Sequence, residues 1–365
     1  MKYIANWDEV KERYEQWWTG KLKNGPLLKI HAPADNPPSE KVQVHTPEEM
    51  KERWLNAQYR IANYCANLPF GAYMKDSFPM YWPNFGPGCF ATYVGSEPSF
   101  APDTVWFLPL PVATLEEIEP YLKFSPENYW WKLLCEHIQV ALRTSNGDFI
   151  VGHTDLGGAM DILASLRGTQ NLLFDLVEQP DMVKKIEAKI MDLWFVYYAG
   201  QHDLMRQAGQ DGTSAWMGLW ARETWYPLQC DFSAMISPES FNEFVVPNLR
   251  RQCRWLTHSV YHWDGPGAIP HLDHLLAIEE LDAIQWTPGA GNPNVDEEVW
   301  LPLYKRITES GKGLVLLGAR AERVEWLVSQ LPAEQLFIST SCGTEAEARE
   351  LAKRFSSPIT SKTRP

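Results

Sequence analysis

Between residues 149 and 355 the sequence alternates regularly between short apolar segments and longer amphipathic ones, and this alternation constrains the fold most. Short segments rich in β-branched and aromatic residues predict strands, and apolar residues three and four positions apart predict helices. The predicted strands are 149–153, 213–217, 259–263, 282–287, 313–318 and 336–340. The predicted helices are 157–178, 182–208, 238–256, 271–279, 296–309, 321–330 and 345–355. Such alternation is typical of α/β proteins with a mostly parallel sheet.

The preceding residues are less regular but supply two further strands. The PLLKIH segment predicts a buried strand at 26–31, and a second is expected near 69–75. Eight strands predict a (β/α)8 TIM barrel with an N-terminal helical, aromatic-rich elaboration. A doubly wound sheet is the alternative, but no GxGxxG motif follows a first strand. No polar linker divides the chain, so we expect one domain over 1–355, followed by a C-terminal tail at 356–365.

The N-terminal part also carries its own helix and insertion signals. Apolar spacing predicts a helix at 7–24, and the TPEE sequence at Thr46 predicts a capping box that begins a helix over 47–66. A second capping box is expected at Thr344. Residues 69–112 combine many Pro and Gly residues with aromatics, which predicts an ordered insertion at the mouth of the barrel.

The charge, the longest apolar run and the cysteines of the chain limit the kinds of partner and the cell compartment that we expect for it. With 33 Lys and Arg against 46 Asp and Glu, the net charge is −13, and no dense basic block is present, so nucleic acid is excluded as a partner. The longest apolar run, at 193–200, is too short to span a membrane. Acidic residues near the start and six scattered cysteines predict a cytoplasmic protein with free thiols.

Aromatic residues are unusually frequent, with 17 Trp, 14 Tyr and 15 Phe. Many lie beside Gly, Pro and Asp rather than in helical stripes, as Trp216, Trp263 and Trp286 do. Two interpretations follow. These rings either fill the core, where Trp is usually largely buried, or line a deep pocket for a ring-shaped or apolar ligand.

Polar residues follow one predicted strand after another, where a barrel carries its reactive groups. His262 and Asp264 alternate by two, so both side chains point to the same side of their strand, and Cys342 ends the last strand. Imidazole, carboxylate and thiolate are all zinc ligands, and three protein ligands with an open position make a catalytic site. A hydrogen-bonded His–Asp pair and a buried structural Cys are the alternative.

Several stretches of the chain resemble the uroporphyrinogen decarboxylase superfamily, which includes zinc methyltransferases that act with methylcorrinoid proteins. The resemblance lies in YHWDG at 261–265, LDAIQW at 281–286 and CGT at 342–344, and it extends over about residues 100 to 355. It implies a barrel of this type, in agreement with the strand count.

The methyltransferase branch of this superfamily uses a His-x-Cys pair and a distant Cys as zinc ligands. The resemblance implies that His262 and Cys342 take two of these places, while Asp264 stands at the middle position. A carboxylate there makes the zinc harder and more Lewis acidic toward an oxygen-containing substrate. Cys230 and Asp231 are alternative ligands.

The resemblance implies methyl transfer between a small methylated compound and a corrinoid carried by a separate partner protein. The expected catalytic residues are Asp155, Asp231 and Gln285. The expected substrate-binding residues are His153, Trp216, Trp263 and Trp286. An oligomer is compatible with the sequence, which does not set the oligomeric state.

Two other functions stay open. The decarboxylase branch carries an Arg-Gln-Ala-Gly-Arg segment near its N-terminus; this chain lacks it, and the similar residues 206–210 close a helix instead. A carbohydrate-active hydrolase is the second alternative, with Glu223 and Asp155 as acid and nucleophile and tryptophans stacking on sugars.

Overall fold

The computed structural model describes residues 1–355, so the predicted tail at 356–365 lies outside the described residues. Its α-helices, labelled α1 to α13 in chain order, are Trp7–Trp18, Met50–Leu55, Ala57–Asn67, Tyr129–Ser145, Ala159–Arg167, Thr169–Glu178, Pro180–Gln207, Pro238–Ser240, Val246–Trp255, Leu272–Leu276, Leu301–Glu309, Val324–Gln330 and Glu345–Arg354. Its strands, β1 to β13, are Leu27–Pro33, Gly71–Lys75, Met80–Tyr81, Glu97–Phe100, Val105–Leu108, Ile150–Val151, Thr213–Ser214, Trp220–Ala221, Trp225–Gln229, His258–Asp264, Ala283–Thr287, Gly313–Arg320 and Leu336–Ser341.

The fold is mixed α/β, as predicted, and its main sheet is mostly parallel. Seven strands lie in the order β2-β1-β13-β12-β11-β10-β9. All neighbours in this sheet pair in parallel except β1 and β2, which are antiparallel. Outside the main sheet, β3 and β6 form a second parallel pair, and β4–β5 and β7–β8 are antiparallel pairs. The carboxyl ends of β9 to β13 therefore meet at one edge.

Two strand predictions need correction. The strand near 69–75 exists as β2, but it runs antiparallel at the edge of the sheet and so is not one of the parallel strands. At the opposite edge of the sheet β9 pairs with β10, and the sequence prediction missed β9 because Pro227 interrupts its apolar run. Proline removes a ladder donor and usually argues against an interior strand.

Several predicted helices are real but divided. The segment 157–178 breaks at Gly168, whose φ of 84° separates α5 from α6. The segment 47–66 begins only at Met50 and breaks at Asn56, so the capping box expected at Thr46 is wrong. The box at Thr344 is confirmed, with reciprocal bonds to Glu347. Within residues 1–355, none of the helices is both long and apolar enough to cross a membrane.

A buried ion pair fastens the N-terminal helix to the main sheet. Arg13 Nε lies 2.6 Å from Asp76 Oδ1, and the other oxygen of Asp76 accepts from the Leu28 amide at 2.8 Å. The Tyr14 hydroxyl donates to the Asp76 carbonyl. Because the Asp76 carboxylate has both charge and hydrogen bonds satisfied, its burial is compensated.

Candidate metal-binding site

The ends of β9 and β10 bring three potential metal ligands together. Gln229 and His262 are the last register partners of β9 and β10, so Asp231 and Asp264, two residues further along each chain segment, come to the same edge of the sheet. One ligand atom from each of Asp231, His262 and Asp264 lies within 4.8 Å of the others. Within residues 1–355 this is the one group of three His, Cys, Asp or Glu side chains that meets that distance.

A neighbouring amide fixes the orientation of His262. Gln285 Nε2 donates to the Trp286 carbonyl at 2.8 Å and to Thr287 Oγ1 at 2.7 Å, so its Oε1 must face His262 Nδ1. His262 therefore carries its proton on Nδ1 and donates it to Gln285, which leaves Nε2 as a free acceptor. A hydrogen bond from the other ring nitrogen is typical of a metal-bound histidine.

The side of this histidine ring is covered by an aromatic residue. Trp216 meets His262 edge to face, with ring centroids 5.1 Å apart and an interplanar angle of 90°. Trp216 is half-buried, so part of its ring stays available beside the three ligands. The substrate-binding role predicted for Trp216 thus concerns a residue that borders the site.

Asp231 is held in place by the start of α5. The amide of Phe232 donates to Asp161 Oδ1 at 2.9 Å. Gly158 allows this approach, because a Cβ at that position would lie 2.1 Å from the Gln229 carbonyl oxygen. Desolvation raises the pKa of Asp231, as does Asp264, while His262 lowers it. A cation at this site would relieve the repulsion between the two carboxylates.

Asp155 lies close enough to sense the charges of this group. Its side chain is 5% exposed, and Oδ1 accepts from the Gly157 amide at 2.8 Å. Burial raises the pKa of Asp155 to about 6; Asp231 adds to this, whereas His262 and two backbone amides oppose it. Tyr226 holds the flanking backbone by bonding to Thr154 O and Leu156 N. A carboxyl with this pKa can exchange a proton near neutral pH.

Cys342 does not belong to the three-residue group. It follows β13, which is separated from β10 by β11 and β12, and its amide donates to the His31 carbonyl at 2.8 Å. Burial raises the pKa of its thiol. Zinc ligation by Cys342 stays a prediction, and the place beside His262 and Asp264 is held by Asp231, the alternative ligand.

The remaining predicted site residues lie in the packed interior. Trp263 and Trp286 are fully buried and contact each other, with ring centroids 4.6 Å apart. They alternate with His262 and Gln285 along their strands, so they lie on the opposite face, where the core interpretation of the aromatics holds. His153 is fully buried, stacks on Tyr198 at 4.2 Å, and has its pKa lowered to about 3 by burial. Substrate roles for these three residues stay predictions.

The pairing of Glu223 with Asp155 as hydrolase carboxylates finds no support. Glu223 is exposed and lies before β9 begins, whereas Asp155 is buried beyond the end of β6 and senses Asp231, which lies after β9 ends. The whole of β9 separates Glu223 from that group. Retaining enzymes need the two carboxyl groups only about 5 Å apart.

The ligand set suits a divalent metal ion. Two ligand atoms on one zinc ion, with bonds of about 2.0–2.2 Å, lie no more than about 4.4 Å apart. The spacing of Asp231, His262 and Asp264 is within a small side-chain rotation of that value. One imidazole and two carboxylates match zinc and other divalent first-row metals.

Comparisons with known proteins identify a similar fold but do not assign the chain to a family. No family model matches the chain, and no curated protein matches it. Among solved structures, the chain is similar to a methyltransferase from Methanosarcina mazei, with a TM-score of 0.59 and 13% sequence identity. The match covers 95% of this chain and 97% of that chain. At this identity, the likeness shows that the two chains share a fold.

Proposed function

We propose that this protein is a zinc-dependent methyl-transfer enzyme of the uroporphyrinogen decarboxylase-like superfamily. The observation that carries the proposal is the oriented group of Asp231, His262 and Asp264 at the ends of β9 and β10, in a fold similar to that of a methyltransferase. We further infer that the main sheet and the β3–β6 pair close into a (β/α)8 barrel with this group at its mouth.

The three side chains would hold the metal through His262 Nε2 and one oxygen each of Asp231 and Asp264. When bound, zinc supplies a Lewis acid that stabilises negative charge on the heteroatom of a small methylated compound. Gln285 accepts from Nδ1 and would thereby keep Nε2 free to bind the metal, as a positioning residue. A harder ligand set favours an oxygen-containing substrate.

Other residues of the site would handle the proton and the substrate. Asp155 would hold the proton that the substrate heteroatom takes up as it loses the methyl group. Trp216 forms a wall for the apolar part of the substrate. The methyl acceptor would be a corrinoid carried by a separate protein. Cys342 remains our candidate for a fourth ligand from β13.

Metal content is the first test. The wild type, purified with zinc present, should contain one zinc ion per chain, measured by inductively coupled plasma mass spectrometry. His262→Ala and Asp264→Ala should contain far less, and Asp264→Cys should retain zinc because thiolate carries the same charge and binds this ion well. Exposed Asp203 provides a matched control, and Asp203→Ala should match the wild type. A wild type free of zinc would overturn the proposed mechanism.

Activity then distinguishes the branches. Demethylation of the substrate should require an added corrinoid protein, and Asp155→Asn should retain zinc but lose most of the activity. Decarboxylation of uroporphyrinogen by the isolated chain would instead favour the decarboxylase branch. Release of sugar from aryl glycosides without any partner would contradict both.

A further inference from the structure

A second pocket lies beside α3, at the carboxyl end of β3, and shares no residue with the metal-binding site. Its volume is about 390 Å³. The residues that matter for its chemistry are Arg53, Arg60, Asn63, Tyr64 and Trp82. We call it the α3 pocket.

Arg60 is a largely buried cation without a counterion. Its two hydrogen bonds both leave from Nη1, to the carbonyls of Trp54 and Asn84. Within residues 1–355 no carboxylate lies within ion-pair distance of its guanidinium, and its Nε and Nη2 atoms have no hydrogen-bond acceptor. Burial lowers the pKa of Arg60. In a chain with net charge −13, an uncompensated buried cation is a costly feature that an anionic ligand would relieve.

Two aromatic residues and a second arginine line the same pocket. The Tyr64 hydroxyl and Trp82 Nε1 are both buried and have no hydrogen-bond partner within the described residues. Arg53 adds a second guanidinium, whose bonds go only to the carbonyls of Pro47 and Glu48. The donors of this pocket that a ligand can reach are therefore Nε and Nη2 of Arg60 and the guanidinium of Arg53.

The unpaired donors therefore define the chemistry of the ligand. A guanidinium presents its N–H groups in a planar fork that matches the oxygens of a carboxylate or phosphate. The rings of Tyr64 and Trp82 provide an apolar wall beside that fork. We propose that the α3 pocket binds the carboxylate or phosphate group of a small organic anion, with the apolar body of the ligand against these rings.

Calorimetric titration tests this directly, with benzoate, phenyl phosphate and inorganic phosphate as probes. At least one probe should bind the wild type, and the ranking of the three separates a carboxylate from a phosphate ligand and shows whether the ring contributes. Binding should be unchanged in His262→Ala, because the α3 pocket does not include the metal-binding site. Failure of the metal proposal and of this one are thus distinguishable.

Variants at the pocket sharpen the test. Arg60→Gln should weaken binding by at least about 10-fold. Tyr64→Phe should bind like the wild type, because the hydroxyl that it removes has no surface open to the pocket. Because Arg60→Gln can impair folding, Asn63→Asp provides a second route. Asn63 is exposed on α3, so the new charge should repel the anion about 10-fold without harming the helix, while Asn63→Ser should bind like the wild type.

Two results would overturn the proposal. One is the absence of binding by all three probes up to about 10 mM. The other is equal affinity in the wild type, Arg60→Gln and Asn63→Asp, which would place the anion elsewhere on the surface.

Discussion

The metal-binding site and the α3 pocket have opposite chemistry. At the ends of β9 and β10, Asp231 and Asp264 crowd two carboxylates around an imidazole whose free nitrogen is an acceptor. In the α3 pocket, Arg53 and Arg60 bring two guanidinium groups together, and Arg60 has no carboxylate within ion-pair distance. Each region thus has an excess of one kind of polar group, and the excess indicates the charge of the missing ligand. Substitutions that remove a group from one region, and should leave the other unchanged, test this contrast.

The largest expected effect is the loss of metal in Asp231→Ala. Removing one of three ligands should lower zinc affinity by at least about 1000-fold, measured by competition with a chelator. Anion binding in the α3 pocket should not change. Loss of both zinc binding and anion binding in this variant would show that the two regions are coupled, which would contradict their independence.

A smaller loss of zinc affinity is expected when the hydrogen bond between His262 and Gln285 is removed. Gln285→Ala should lower zinc affinity by about 10- to 100-fold, because the ring loses the acceptor that holds it. Gln285→Glu keeps an acceptor opposite Nδ1 and should restore most of the affinity. If the alanine variant binds zinc like the wild type, the orientation argument fails.

Acid should destabilise the protein through a histidine next to the α3 pocket. His137 is fully buried against Tyr81, and burial, then Arg60, lowers its pKa to about 3. Between pH 6.5 and 3 the unfolded chain binds a proton that the folded chain does not, so the free energy of unfolding falls as the pH is lowered. The slope from this residue is at most about 1.4 kcal/mol per pH unit.

Denaturant titrations between pH 4 and 7 measure this slope. His137→Gln should flatten it, whereas His45→Gln should not, since His45 is exposed. An unchanged slope in His137→Gln would mean that other groups govern acid unfolding.

The smallest expected effect is a gain in the stability of the metal-free protein when one carboxylate of the metal-binding site is neutralised. Asp264→Asn removes a charge that raises the pKa of Asp231, so it should stabilise the metal-free protein while weakening zinc binding. Because the Asp231 carboxylate is only partly desolvated, solvent screens part of the repulsion, and the gain should stay below about 1 kcal/mol. A loss of stability in thermal unfolding would show that Asp264 has a structural partner instead.

Much of the metal-binding site follows from strand alternation, and the rest depends on register. The spacing of His262 and Asp264 places them on one face of β10. The same rule assigns Trp263 to the other face, which argues against the substrate role predicted for it. Asp231 could be named but not located, since its position depends on β9, which Pro227 conceals. The pairing of Gln229 with His262 appears only in the folded sheet.

The α3 pocket gave no signal in the sequence. Arg60 lies on the helix predicted over 47–66 and Trp82 in the irregular insertion at 69–112, and no pattern in the sequence brings the two together. Arginine is an ordinary surface residue in helices, and only the absence of a counterion makes Arg60 informative. That absence is a property of the packed structure.

The pairing of β1 with β13 also sets an order of events during synthesis. Leu27 pairs with Phe337, about 310 residues later in the chain. At ribosomal rates of about 5–20 residues per second, β1 must wait roughly 15–60 s for this neighbour. During that time only β2, which follows closely in the chain, can cover one of its edges. The antiparallel β2 therefore acts as an early partner that protects a strand whose final partner is made almost last.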